Sequence, residues 1–96
     1  MIPKLIEPAA KGEPAREFLL RSEETLIGRG TDCDLRLGDF NISRHHCLIR
    51  VRSGEVTLTD LGSSNGTYVN GHRVSAPTPM HRGDSLQIGS TVLEAV

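Results

Sequence analysis

Apolar and polar residues alternate with a period of two through much of this chain. Between Cys47 and Arg52, Cys47, Ile49 and Val51 fall on one face, and Leu48, Arg50 and Arg52 fall on the other. Val56 and Leu58 alternate in the same way with Thr57 and Thr59. Side chains of an extended strand point to opposite faces in turn, so this pattern predicts half-buried antiparallel strands. Short runs rich in branched residues at 18–21, 25–27, 67–69, 85–88 and 92–96 extend the same prediction, and residues 4–7 read as an edge strand. Turn signals punctuate the runs: Gly30, Gly38-Asp39, Ser53-Gly54, Asn65-Gly66, Asn70-Gly71, Arg82-Gly83 and Gly89-Ser90. Such spacing describes an all-β sandwich or barrel. No stretch holds a 3.6-residue period over three turns. Pro77 and Pro79 predict an irregular connection ahead of the last hairpin.

Composition narrows the class. Ninety-six residues fit a single domain spanning 1–96, with an edge strand and loose segment over 1–15 and the sandwich core over 16–96. A formal charge of −1 gives no basic excess for nucleic acid or an anionic membrane surface. The sequence shows no membrane-spanning run and no signal-peptide layout at its start. Cys33 and Cys47 make neither a disulfide framework nor a close-spaced metal motif, and both read as small apolar residues. A reducing, cytoplasmic setting is the expectation. Nothing in the chain signals a cofactor.

Candidate chemistry is concentrated in three polar clusters at strand ends: Gly28-Arg29, Ser43-Arg44-His45-His46, and Ser63-Ser64-Asn65-Gly66-Thr67. They offer guanidinium groups, hydroxyls and a side-chain amide, with no carboxylate among them. A donor-only, cationic set suits an acceptor-rich dianion such as a phosphate monoester. If the second cluster opens its strand in extended form, Ser43 and His45 share one side while Arg44 and His46 share the other. Neighbouring strand histidines then diverge, and no Asp-His-Cys set at ligand spacing accompanies them, so no metal site is predicted. A serine nucleophile lacks both the elbow and an orienting acid. No enzyme activity is expected.

In residue type, order and spacing, Gly28-Arg29, Ser43-Arg44-His45-His46 and Ser64-Asn65-Gly66-Thr67-Tyr68-Val69-Asn70-Gly71 resemble the forkhead-associated (FHA) domain family over about 26–89. Phospho-motif recognition is an established mode of that family. The resemblance implies an eleven-stranded antiparallel β-sandwich whose loops at one end bind phosphothreonine in an extended peptide. It assigns phosphate contacts to Arg29, Ser43, Arg44 and Ser64, and contacts with the peptide backbone to Asn65. His46 braces the recognition loops, Gly28, Gly66 and Gly71 hold scaffold positions, and Asn70 ties down its own turn. By location, Asn41, Ile42 and Arg73 are the candidate readers of flanking sequence. The implied partner is a phosphothreonine-containing protein or peptide, in another molecule or within a longer parent chain. The competing reading is a β-sandwich for phosphorylation-independent protein interaction or oligomerisation.

Overall fold

The computed structural model describes residues 3–9 and 12–96. Eleven strands form two packed sheets, and no helix occurs among the described residues. One sheet contains β1 (Lys4–Glu7), β2 (Arg16–Leu19), β7 (Thr67–Val69), β8 (His72–Arg73), β10 (Ser85–Ile88) and β11 (Thr91–Ala95), in the order β2-β1-β11-β10-β7-β8. The other contains β3 (Glu24–Gly28), β4 (Leu35–Arg36), β5 (Cys47–Arg52), β6 (Glu55–Asp60) and β9 (Thr78–Met80), in the order β4-β3-β5-β6-β9. All pairings are antiparallel except β3 with β4, which run parallel.

The core lies where the inward residues of both sheets meet. Ile27, Ile49 and Leu58 enter from one side, and Leu5, Leu86, Ile88 and Leu93 from the other. Alternation along β5 is as the sequence predicts, with Cys47 and Ile49 buried and Arg50 and Arg52 exposed.

Three expectations change. β1 is not an edge strand: it is paired on both sides, by β2 and by β11, and Leu5 is buried. The core therefore begins at β1 rather than at residue 16, and β2 is the edge. The loose segment expected over 8–15 includes residues 10 and 11, which lie outside the described residues. Part of the proline-marked connection is a strand, because Thr78, Pro79 and Met80 pair with Leu58, Thr57 and Val56. That strand is at the sheet edge, where a proline lacking an N–H costs no ladder bond on its open side. Finally, 43–46 is a bent loop and not the start of β5, so the predicted two-sided division of that cluster does not hold.

β5 is central in its sheet, and Ile49 is fully buried. Ile49→Ala is expected to lower unfolding free energy by about 2–5 kcal/mol, the range for truncating a large aliphatic in a packed core. Urea denaturation should show this as a lower midpoint with an unchanged slope.

Candidate functional site

Three loops meet at one end of the sandwich, each leaving a different strand. The β3–β4 turn follows Gly28, the 37–46 loop leads into β5, and the 61–66 loop joins β6 to β7. Backbone bonds join the first two: Arg29 N–H donates to the Ser43 carbonyl at 3.0 Å, and Gly30 N–H donates to the Arg44 carbonyl at 3.0 Å. So close an approach requires glycine. A Cβ at Gly28 would collide with the Arg44 carbonyl and lie 3.0 Å from Cys33 Sγ.

His46 joins the second loop to the third. Its Nδ1 accepts from Ser43 N–H at 3.0 Å, and its Nε2 is 2.9 Å from the Gly66 carbonyl. A backbone N–H only donates and a carbonyl only accepts, so the partners fix the Nε2–H tautomer. The ring is fully buried. Gly66 adopts φ +86°, and a Cβ there would press on the Arg73 guanidinium at 3.2 Å, so that turn also requires glycine.

The donors expected from sequence gather on this frame. Arg29 Nε donates to the Ile42 carbonyl at 3.1 Å, which orients the guanidinium and leaves its two terminal amino groups for a ligand. Ser43 Oγ accepts from Ser64 N–H at 3.0 Å, which keeps the hydroxyl hydrogen free to donate outward. Asn65 Nδ2 donates to the Asn41 carbonyl at 2.8 Å. The side chains of Arg29, Arg44, Ser64 and Asn65 are exposed, and Ser43 is half-buried. Arg36, which sequence reasoning passed over, donates from Nε to the Arg29 carbonyl at 3.1 Å and adds a further guanidinium near this rim.

Two groups of candidates are placed differently. Ile42 is 1 % exposed and packs beneath Gly89, so it belongs to the core and cannot read a peptide. Asn70 and Gly71 turn the β7–β8 hairpin at the far end of β7 from Ser64 and Asn65. Asn70 also reaches beyond its own turn: Nδ2 donates to Asp84 Oδ1 at 2.9 Å, and Oδ1 accepts from Ser85 N–H at 2.9 Å. Asn41 and Arg73 remain at the rim. Asn41 is tied to Ser90 Oγ at 3.1 Å, and Arg73 lies against Gly66.

Sequence reasoning also missed the base of the third loop. Asp60 Oδ1 accepts from the hydroxyls of Ser63 and Thr67, both at 2.6 Å, while Oδ2 accepts from Gly62 and Ser63 N–H at 3.1 Å each. Ser63 and Thr67 are buried, so these serve the loop and not a ligand. Partial burial pushes the Asp60 carboxyl up, but the hydroxyl and backbone donors outweigh it and hold the group below the usual carboxylate range. Asp followed at three residues by Ser, the pattern of a side-chain-capped turn, was the available signal.

The only Asp-Cys-His grouping among the described residues is at the edge of this same end. Asp32, Cys33 and His45 bring ligand-type atoms within 4.8 Å of one another. No such set was visible in the sequence because the fold assembles it from two loops. A groove lined by Leu5, Leu20, Val56, Met80 and Ala95 is at the other end of the sandwich.

Comparison with known proteins agrees with this geometry. The family model described as FHA domain matches residues 25–89. The oxoglutarate dehydrogenase inhibitor of Corynebacterium glutamicum is 43% identical over 72 residues, covering 75% of this chain and 50% of that protein. The glycogen accumulation regulator GarA of Mycolicibacterium smegmatis is also 43% identical over 72 residues, covering 75% of this chain and 45% of its own. The chain thus spans about half the length of these curated relatives. Among solved structures, one from a study of phosphothreonine-dependent FHA domain interactions superimposes with a TM-score of 0.88 at 33% identity, covering 99% of this chain and 95% of that one. The FhaA FHA domain, solved in complex with the intracellular domain of another protein, gives 0.87 at 32% identity and covers 98% and 99%.

Asp60→Ala orphans the buried Thr67 hydroxyl and is expected to cost about 1–3 kcal/mol for each buried donor left without a partner. The depressed carboxyls of Asp60, Asp39 and Asp84 add a pH dependence. Their stabilisation is complete above the unfolded-state value of about 4 and is lost as pH falls through the lower folded-state values. Thermal melts should therefore fall below about pH 4. The fall should be shallower in Asp60→Ala.

Proposed function

Because the chain belongs to the FHA domain family, we propose that it is a non-catalytic module that binds phosphothreonine in an extended peptide through the loops at the β3–β4, β4–β5 and β6–β7 end. The observation that carries this is the convergence of Arg29, Ser43, Ser64 and Asn65 on one rim, drawn from three loops and both sheets. A module binding partners without regard to phosphorylation would have no use for hydroxyl and guanidinium donors held outward in this way.

The chemistry fits a dianion. Phosphothreonine carries nearly two negative charges and three strong acceptor oxygens at neutral pH. Charge-assisted hydrogen bonds contribute about 1.5–3 kcal/mol each, so three of them supply more than half of the roughly 8 kcal/mol of a micromolar complex. Arg29 and Arg44 supply positive charge, Ser43 and Ser64 supply hydroxyl donors, and the Asn65 amide aligns the peptide backbone. Selectivity for flanking residues falls to the exposed side chains around the rim: Asn41, Arg73 and Phe40, the last of which is 95% exposed. The module acts as an adaptor in signalling or assembly. Two free thiols in a short chain fit an intracellular setting.

Calorimetry with a phosphothreonine peptide library should register binding that the unphosphorylated library lacks. Arg29→Ala and Ser64→Ala should each lose more than about 1.5 kcal/mol. Ser43→Ala should lose at least as much, because it also removes the acceptor for Ser64 N–H. Equal binding of both libraries would favour phosphorylation-independent interaction. Affinity should also weaken below about pH 6, where the phosphate takes up its second proton. A flat response between pH 5 and 8 would show that the second charge is not read.

A further inference from the structure

We propose that Asp32, Cys33 and His45 form a binding site for a zinc-type divalent cation beside the phosphate-reading rim, with one coordination position open to solvent. A carboxylate oxygen, a sulfur and an imidazole nitrogen lie within 4.8 Å of one another, and His45 Nε2 is already 2.8 Å from Asp32 Oδ2. A tetrahedral shell with zinc bond lengths of about 2.0–2.3 Å sets its ligand atoms about 3.3–3.6 Å apart. Small side-chain rotations therefore complete the geometry: the Asp–His pair opens slightly and the sulfur closes in.

The donor set selects the ion. Sulfur disfavours magnesium and calcium, whereas one sulfur, one nitrogen and one oxygen match the mixed ligands of zinc. Access is open, since the side chains of His45 and Asp32 are 49% and 60% exposed. Charge is balanced too, because an aspartate and a thiolate together offset a divalent cation.

Coordination changes specific bonds. Cys33 Sγ now points at the Arg44 carbonyl, 3.0 Å away, and rests against Gly28. On binding, the thiol proton goes to solvent, a sulfur–metal bond replaces the S–H···O contact, and His45 presents the lone pair of Nε2 with its proton on Nδ1. A cation at this place stabilises the thiolate form of Cys33. The consequence is mechanical: the metal staples the β3–β4 turn, which follows Arg29, to the loop that carries Arg44.

Cobalt(II) is the direct probe, because a thiolate–cobalt bond absorbs in the near ultraviolet and a tetrahedral site shows visible ligand-field bands. Titration of the whole chain should saturate at one cobalt per chain, and zinc should displace it. Cys33→Ser should abolish the near-ultraviolet band. His45→Gln and Asp32→Asn, at exposed positions, should weaken binding by about tenfold or more, at least the scale set by outer-shell partners. Melting curves will confirm that the variants are folded; should Cys33→Ser fail to fold, the two exposed variants decide. Three results would overturn the site: no saturable spectrum at millimolar cobalt, a thiolate band that persists in Cys33→Ser, or one metal per two chains.

Discussion

The buried imidazole of His46 is the constraint on which the recognition end depends. Every polar atom of this residue is used. Its N–H donates to the Ile27 carbonyl at 2.9 Å, its carbonyl accepts from Leu61 N–H at 3.0 Å, and its ring bridges Ser43 and Gly66. Ile27 and Ser43 belong to the five-stranded side, while Gly66 leads into β7 of the six-stranded sheet. One side chain therefore fixes the distance between two sheets at the point where their loops must cooperate. A larger apolar residue could fill the volume, but it would leave the Ser43 N–H and the Gly66 carbonyl buried without partners.

Rigidity at that point is what lets small donors matter. Hydroxyls and amides bind an anion well only when they are held in place before it arrives, since each side chain ordered on binding costs about 0.5–1.5 kcal/mol. Here Ser43 is locked by its own N–H on His46 and by Ser64 N–H on its Oγ. Asn65 is held by the Asn41 carbonyl, and Asn41 by Ser90. The chain of contacts runs through two loops and reaches the β10–β11 turn, where Asp39 Oδ2 accepts from Ser90 N–H at 2.6 Å.

Sequence made the long strands and the donor set legible for a simple reason. β5 and β6 carry their own period-two signal, β10 and β11 are short runs rich in branched residues, and the three polar clusters are contiguous. The parts that were not legible are made by tertiary contact. β4 and β8 are two residues each, too short to show a period, and β9 contains a proline that argues against a strand until β6 is present to pair with it. Ile42 is beside polar residues in sequence, yet it turns inward under Gly89. Ser63 and Thr67 looked like part of a ligand-facing tip because their shared acceptor, the half-buried Asp60, is at the preceding strand end. Asp32 and Cys33 gave no hint of His45, since those segments meet only in the folded chain, through backbone bonds from Arg29 to Ser43 and from Gly30 to Arg44.

The same end shows how a chain with a net charge of −1 can present an anion site. Several carboxylates lie close to the rim, and left free they would cancel its positive potential. Each is instead engaged by donors of the scaffold. Asp39 takes the N–H groups of Asn41 and Ser90, and Asp60 takes two hydroxyls and two N–H groups. Asp34 takes Leu26 N–H, and Asp32 takes His45. Negative charge is thereby directed into ordering the loops, while the guanidinium groups of Arg29, Arg44 and Arg73 remain on the exposed side. Net charge is a poor guide here because the decisive quantity is local. A carboxylate whose oxygens accept scaffold donors at 2.6–3.1 Å has part of its charge offset where it stands, which leaves less of it to oppose the nearby guanidinium groups.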